Sequence, residues 1–185
     1  MTLRTDKNPS PQAAATDSPS DPGRRRLLLG SAGALVAFGL GGCLSDGGLD
    51  LAGATVRDLD GKEIPLDSIK GSPTVITFWA TTCPSCVEEI PHIQELHDTY
   101  SPKGVDVIGL AMSYDPVSQI EKMVEKKDMT YTIWHDADEQ GAQAFGPVRV
   151  TPSFFILDSE GRIEYQKIGL IDMDRVRGIL DGLTA

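Results

Sequence analysis

One stretch constrains this chain more than any other: Thr74-Val75-Ile76-Thr77-Phe78-Trp79, with Cys83-Pro84-Ser85-Cys86 four residues further on. Six uncharged, mostly β-branched or aromatic residues in a row predict a buried central strand. Beyond the cysteines, Val87, Ile90, Ile93, Leu96 and Tyr100 recur every three or four residues, the apolar face of a helix. Pro91 falls inside that pattern and should kink it, because it lacks an N–H and crowds the preceding turn. The cysteines therefore occupy a strand-to-helix junction. The first helical turn has unpaired N–H groups and the positive end of the helix dipole, and both favour a thiolate over a thiol. A free cysteine titrates near ~8.5, and such a position lowers that by about one to several units. Pro84 is tolerated there, since a first-turn residue has no use for its N–H. Two intervening residues let the second sulfur turn back on the first, so a mixed disulfide at Cys83 can be resolved by Cys86.

Other uses of the pair are weaker. A structural disulfide between residues three apart removes little chain entropy and so stabilises little. A zinc site would need two more ligands, and His92, His97 and His135 lack the spacing to supply them. No metal and no cofactor are expected.

Around this junction the chain alternates. Ala54–Leu66 holds two short extended runs about Asp60-Gly61, a dipeptide that favours a type I′ hairpin turn. Val105–Met112 predicts a second buried strand, Ser118–Lys127 a helix starting near Asp115-Pro116, and Tyr131–Trp134 a short extended piece. A short helix is expected around Gln140–Phe145. Ser153–Leu157 and Arg162–Ile168 should be strands joined by the turn Asp158-Ser159-Glu160-Gly161, and Asp172–Leu183 a closing amphipathic helix. The order β-α-β-α, then β-β-α, implies an α/β domain with a mixed central sheet, helices on both faces and right-handed crossovers. With 185 residues, one domain over 54–185 is enough, with the hairpin as its N-terminal extension.

The N-terminal third reads differently. Residues 1–23 are polar, contain four prolines and have no apolar period, so they predict disorder. Arg24-Arg25-Arg26 then meets an uncharged stretch, Leu27–Leu40, ending in Gly41-Gly42-Cys43. Fourteen apolar residues fall short of the ~20 that span a bilayer and fit the core of a signal peptide. Leu40-Gly41-Gly42-Cys43 resembles a bacterial lipobox, which implies acylation of Cys43 as the new N-terminus. Arg24-Arg25-Arg26-Leu27-Leu28 is similar to a twin-arginine export signal. The expected organisation is a signal peptide over 1–43, a small-residue tether over 44–53, and the domain. Acylation also accounts for an odd total of three cysteines. An extracytoplasmic, periplasmic-side protein held to the membrane by lipid follows.

Charge excludes one class of partner. The segment 1–43 carries five basic and three acidic groups of the chain's 17 and 27, which leaves 12 and 24 for residues 44–185, a net of −12. Such a body repels phosphates, so no nucleic-acid partner is expected.

Phe78-Trp79-Ala80-Thr81-Thr82-Cys83-Pro84-Ser85-Cys86, with Glu89, Pro91 and the later Val150-Thr151-Pro152, resembles the thioredoxin superfamily. Within it, the likeness is to the TlpA/ResA-like, membrane-tethered thiol–disulfide oxidoreductases, over about residues 50–185. The resemblance implies a thioredoxin-like fold, with Cys83 the exposed nucleophile and Cys86 the buried resolving thiol. It also implies a cis Pro152 facing the pair, and a groove where Thr151 offers backbone hydrogen bonds to an extended substrate. Glu89 matches a cleft glutamate able to shuttle the proton of Cys86. Trp79 matches a common tryptophan on the substrate side, whereas Thr82 replaces the large residue many relatives carry before the first cysteine. The implied activity is reduction of disulfides in exported proteins, as in cytochrome c maturation, by a monomer kept reduced by a membrane thiol relay. A thiol peroxidase of the peroxiredoxin relatives would need threonine where Ala80 stands, three residues before Cys83, and a copper-delivery module would need one more residue between the cysteines.

Overall fold

The computed structural model describes residues 49–185, so the expected signal peptide, Cys43 and the first half of the expected tether lie outside the described residues. Seven strands form one sheet in the order β2-β1-β5-β4-β3-β6-β7. They are β1 (Thr55–Arg57), β2 (Glu63–Pro65), β3 (Thr74–Trp79), β4 (Asp106–Ala111), β5 (Thr132–His135), β6 (Ser153–Leu157) and β7 (Ile163–Ile168). The helices are α1 (Pro84–Tyr100), α2 (Val117–Lys126), α3 (Gln140–Ala144) and α4 (Met173–Leu183).

The central strands β3, β4 and β5 run parallel, joined through α1 and α2, while β6 and β7 and the β1–β2 hairpin pair antiparallel at the two sides. The hairpin is not a separate appendage, since Arg57 pairs with His135 and makes β1 a strand of the main sheet. Every residue of β3 is buried, as its composition demands. Pro91 lies within α1, which runs through it as one element.

Strand pleating divides the core in two. Val75 and Trp79 of β3, Val107 and Ala111 of β4, and Phe154 and Ile156 of β6 face α1, α2 and α4. Their neighbours Ile76, Phe78, Ile108, Leu110, Phe155 and Leu157 face the opposite side, closed by α3 and by a 3₁₀ turn at Leu66–Ile69. There Phe78, Phe145 and Phe155 form an edge-to-face trio with centroids 5.0 to 5.8 Å apart.

Two local expectations are corrected. The tether does not extend to residue 53, because Leu51 is 1% exposed and packs in the second core. The turn at Asp60-Gly61 is an Asp-x-x-Gly frame rather than a two-residue I′ turn, the same frame as the expected turn Asp158-Ser159-Glu160-Gly161. Within these turns only Gly61 and Gly161 take positive φ, and their N–H groups donate to the carbonyls of Asp58 and Asp158. The Asp carboxylates then accept from Lys62 N–H and Arg162 N–H, each at 2.9 Å.

Candidate active site

Cys83 is the N-cap of α1, and its sulfur accepts from Cys86 N–H at 3.2 Å. Cys83 and Cys86 are bonded to each other, with Cα atoms 5.2 Å apart. Their environments differ. Cys83 is half-buried, with Ser85 Oγ at 3.5 Å from its sulfur, whereas Cys86 is 3% exposed and part of the core beneath the helix. The helix places them so because Cys86 starts the apolar stripe that continues through Ile90 and Ile93.

Glu89, one turn on from Cys86, follows the same stripe inward and is 2% exposed. Its Oε1 accepts from Ile171 N–H at 2.7 Å, and its Oε2 has no protein partner. Burial holds its carboxyl above the usual range, opposed by the Ile171 hydrogen bond and by His92. Glu88, its neighbour in sequence, is exposed, outside the buried stripe. Glu89 shares a small enclosed cavity with Cys86, Thr77, Trp79, Ile90, Ile93 and Tyr131. Tyr131, buried beside Glu89, has its phenol pushed upward by burial and by that carboxylate.

Trp79 sits differently from the expectation of a substrate-side residue. It is 3% exposed and lines this cavity, its Nε1 buried without a partner. A strand residue on the α1 face of a central strand points into the core, so its neighbour is Cys86 and not a surface groove.

The Thr151–Pro152 peptide bond is cis. Register fixes its place: β6 pairs with β3 through Phe78 and Ser153, so Pro152 lies one step beyond, at the sheet end from which the cysteine loop departs. Pro152 is buried, its carbonyl accepting from Gly169 N–H, and Thr151 is half-buried. Val150, Ile168 and Leu170, three of the four large apolar side chains exposed among the described residues, flank this segment.

Sequence reasoning misses two groups. Asp115, expected as part of a helix start, is 2% exposed, and its carboxylate accepts Thr81 N–H at 2.5 Å and Thr81 Oγ1–H at 2.9 Å. It holds the loop two residues before Cys83. The helix start itself is capped by Pro116 with no side-chain hydrogen bond. A lone Asp before Pro gives no sign of a partner 34 residues away. Ile171, the donor to Glu89, acts through its backbone, which leaves no trace in side-chain pattern. Among the described residues, no cluster of three or more His, Cys, Asp or Glu side chains is placed to hold a metal ion, and no helix is long and apolar enough to cross a membrane.

Comparison with known proteins agrees with this geometry. Residues 48–166 match the AhpC/TSA family. The thiol-disulfide oxidoreductase ResA of a Bacillus cereus strain is 30% identical over 131 residues, covering 70% of this chain and 73% of that protein. The solved structure of MTB dsbF, in mixed oxidised and reduced forms, superimposes with a TM-score of 0.61 at 26% identity, over 70% of this chain and 93% of that one. A secreted Mycobacterium tuberculosis disulfide oxidoreductase homologous to E. coli DsbE shares the fold, with a TM-score of 0.61 at 23% identity over 70% and 95% of the chains. The chain thus belongs to the AhpC/TSA family of thioredoxin-like proteins, as a thiol–disulfide oxidoreductase of the ResA and DsbE type.

Proposed function

We propose that this enzyme is a reductant of disulfides in exported proteins, of the cytochrome c maturation kind, working on the extracytoplasmic side as a monomer tethered by acylated Cys43. The observation that carries the reading is the asymmetry of the pair: one sulfur half-exposed at a helix cap, the other buried beside a carboxyl of raised proton affinity.

The chemistry follows from that asymmetry. In the reduced protein the Cys83 thiolate attacks one sulfur of a substrate disulfide, and the other substrate sulfur leaves and takes up a proton. Cys86 loses its proton, with Glu89 as acceptor, and attacks the Cys83 sulfur. The substrate departs as a dithiol, and the Cys83–Cys86 disulfide remains. A membrane dithiol relay returns the two electrons. The helix N-terminus stabilises the Cys83 thiolate as both nucleophile and leaving group. Thr151 and Pro152 form the groove wall that holds an extended substrate segment, and the apolar residues around them add contact area.

Direction of electron flow is tested by the equilibrium reduction potential of the protein against glutathione. A value near the thioredoxin end of the range, about −270 mV, is expected. A value near the DsbA end, about −120 mV, would make the protein an oxidant and end this reading. Fatty-acid labelling tests the tether: the wild type should incorporate label, and Cys43→Ala should not.

A further inference from the structure

Beside the cysteine loop lies a pocket of about 340 Å³ that the disulfide chemistry leaves unused. Thr81 forms its wall on the active-site side, and Ser118, Gln119, Lys122, Met123 and Lys126 of α2 form the other. Lys122 and Lys126 are four residues apart, so both ammonium groups stand on one face of the helix. Among the described residues, neither enters any of the ion pairs of the fold. Glu121 and Glu125, the acids of the same helix, do not line the pocket. Asp115, the buried acid behind the pocket wall, has both carboxylate oxygens engaged by Thr81. Two free cations thus face a cleft next to the nucleophile, on a body that carries a net charge of −12 over residues 44–185.

We propose that this pocket is a subsite for an acidic segment of the disulfide substrate, a stretch of polypeptide with Asp or Glu near its reactive cysteine. The inference rests on the thiol–disulfide reading of the pair and adds substrate choice to it. Thr81 is only two residues from Cys83, so a chain bonded to that sulfur reaches the cleft within a residue or two. A carboxylate seated there meets the lysines at contact range. The half-buried Met123 gives an apolar floor for the methylene groups of such side chains. Thr81 is fixed by Asp115, so the wall next to the cysteine is rigid.

The test is single-turnover oxidation of the pre-reduced full chain by two peptides, each closed by one internal disulfide. They are identical except that one carries Glu and the other Gln beside its cysteines. Each turnover moves two electrons from Cys83 and Cys86 to the peptide disulfide, so no further reductant is needed. At about 0.15 M salt the Glu peptide should react about five- to tenfold faster, and that ratio should fall toward one at about 1 M salt and in Lys122→Gln/Lys126→Gln. The readout is the ratio of the two peptides, which a general loss of activity does not change. Equal rates in the wild type, or a preference that survives the double substitution, would overturn the subsite while leaving the redox reading intact. Failure to reduce either peptide would overturn both.

Discussion

Asp115 provides the sharpest test of how this fold holds its reactive loop. Its buried carboxylate accepts two hydrogen bonds, both from Thr81. Hydrogen bonds to a charged acceptor are worth about 1.5–3 kcal/mol each, and a donor left unpaired in a buried setting costs about 1–3 kcal/mol. Asp115→Ala removes both bonds and strands the Thr81 N–H, but it also relieves the cost of burying a charge. The balance is a loss of about 3 kcal/mol. Asp115→Asn keeps an oxygen for the N–H and loses the charge, so it should lose about 1–2 kcal/mol. For a domain of this size, each kcal/mol shifts Tm by about 4 °C, so the alanine variant should melt about 12 °C lower. Urea denaturation of the oxidised proteins gives the free energies. Adding Thr81→Val, alone and combined, completes a double-mutant cycle whose coupling should be about 1 kcal/mol. An alanine variant within about 0.5 kcal/mol of wild type, or no coupling, would refute the clamp.

Glu89→Gln keeps an oxygen for the Ile171 amide but can neither give nor take a proton. Because burial raises the Glu89 pKa, the stability it brings is present in acid and is lost as pH rises through its folded-state value. Denaturation from about pH 4 to pH 8 should therefore show the variant gaining on wild type as pH rises, while resolution by Cys86 slows about tenfold or more. A gap independent of pH would contradict a buried, titrating carboxyl. Cys86→Ser should accumulate a mixed disulfide with substrate, visible by mass spectrometry, whereas Cys83→Ser should trap none; the reverse pattern would exchange the two roles. Gly109→Ala would place a Cβ 2.9 Å from Ile133 Cδ1 and 3.2 Å from Trp79 Nε1, an overpacking that should cost about 1–3 kcal/mol by thermal denaturation.

Sequence patterning makes the central strands and long helices legible, because burial on both sheet faces or on one helix face leaves a periodic signature. Thr74–Trp79 appears with the bounds its composition predicts, and the apolar stripe through Ile90, Ile93, Leu96 and Tyr100 is the buried side of α1. The positions of Cys86 and Glu89 are legible for the same reason, since both ride on that stripe, while Cys83 is marked by its place at the strand-to-helix junction. What stays hidden depends on groups that periodicity does not encode. The turn after Asp58 falls where the sequence puts it but differs in type, because the choice of turn rests on which residues take positive φ and on carboxylate bonds to backbone N–H groups. Leu51 resembles part of a tether because its small, Gly-rich neighbours mask one anchoring side chain. The family resemblance assigns Trp79 to the substrate side, whereas its place in a buried strand and strand parity turn it inward, next to Cys86.

The hydrogen bond from Ile171 to Glu89 spans 82 residues and joins the redox helix to the segment just before α4. Electron chemistry and proton chemistry are thereby completed at different moments of synthesis. A nascent chain ending before residue 171 already carries both cysteines, but its Glu89 lacks the backbone donor that opposes the effect of burial on its carboxyl. The pair can be assembled before the acid is bonded, so a protein shortened to end before Ile171 would keep both thiols and lose the hydrogen bond that Glu89 accepts.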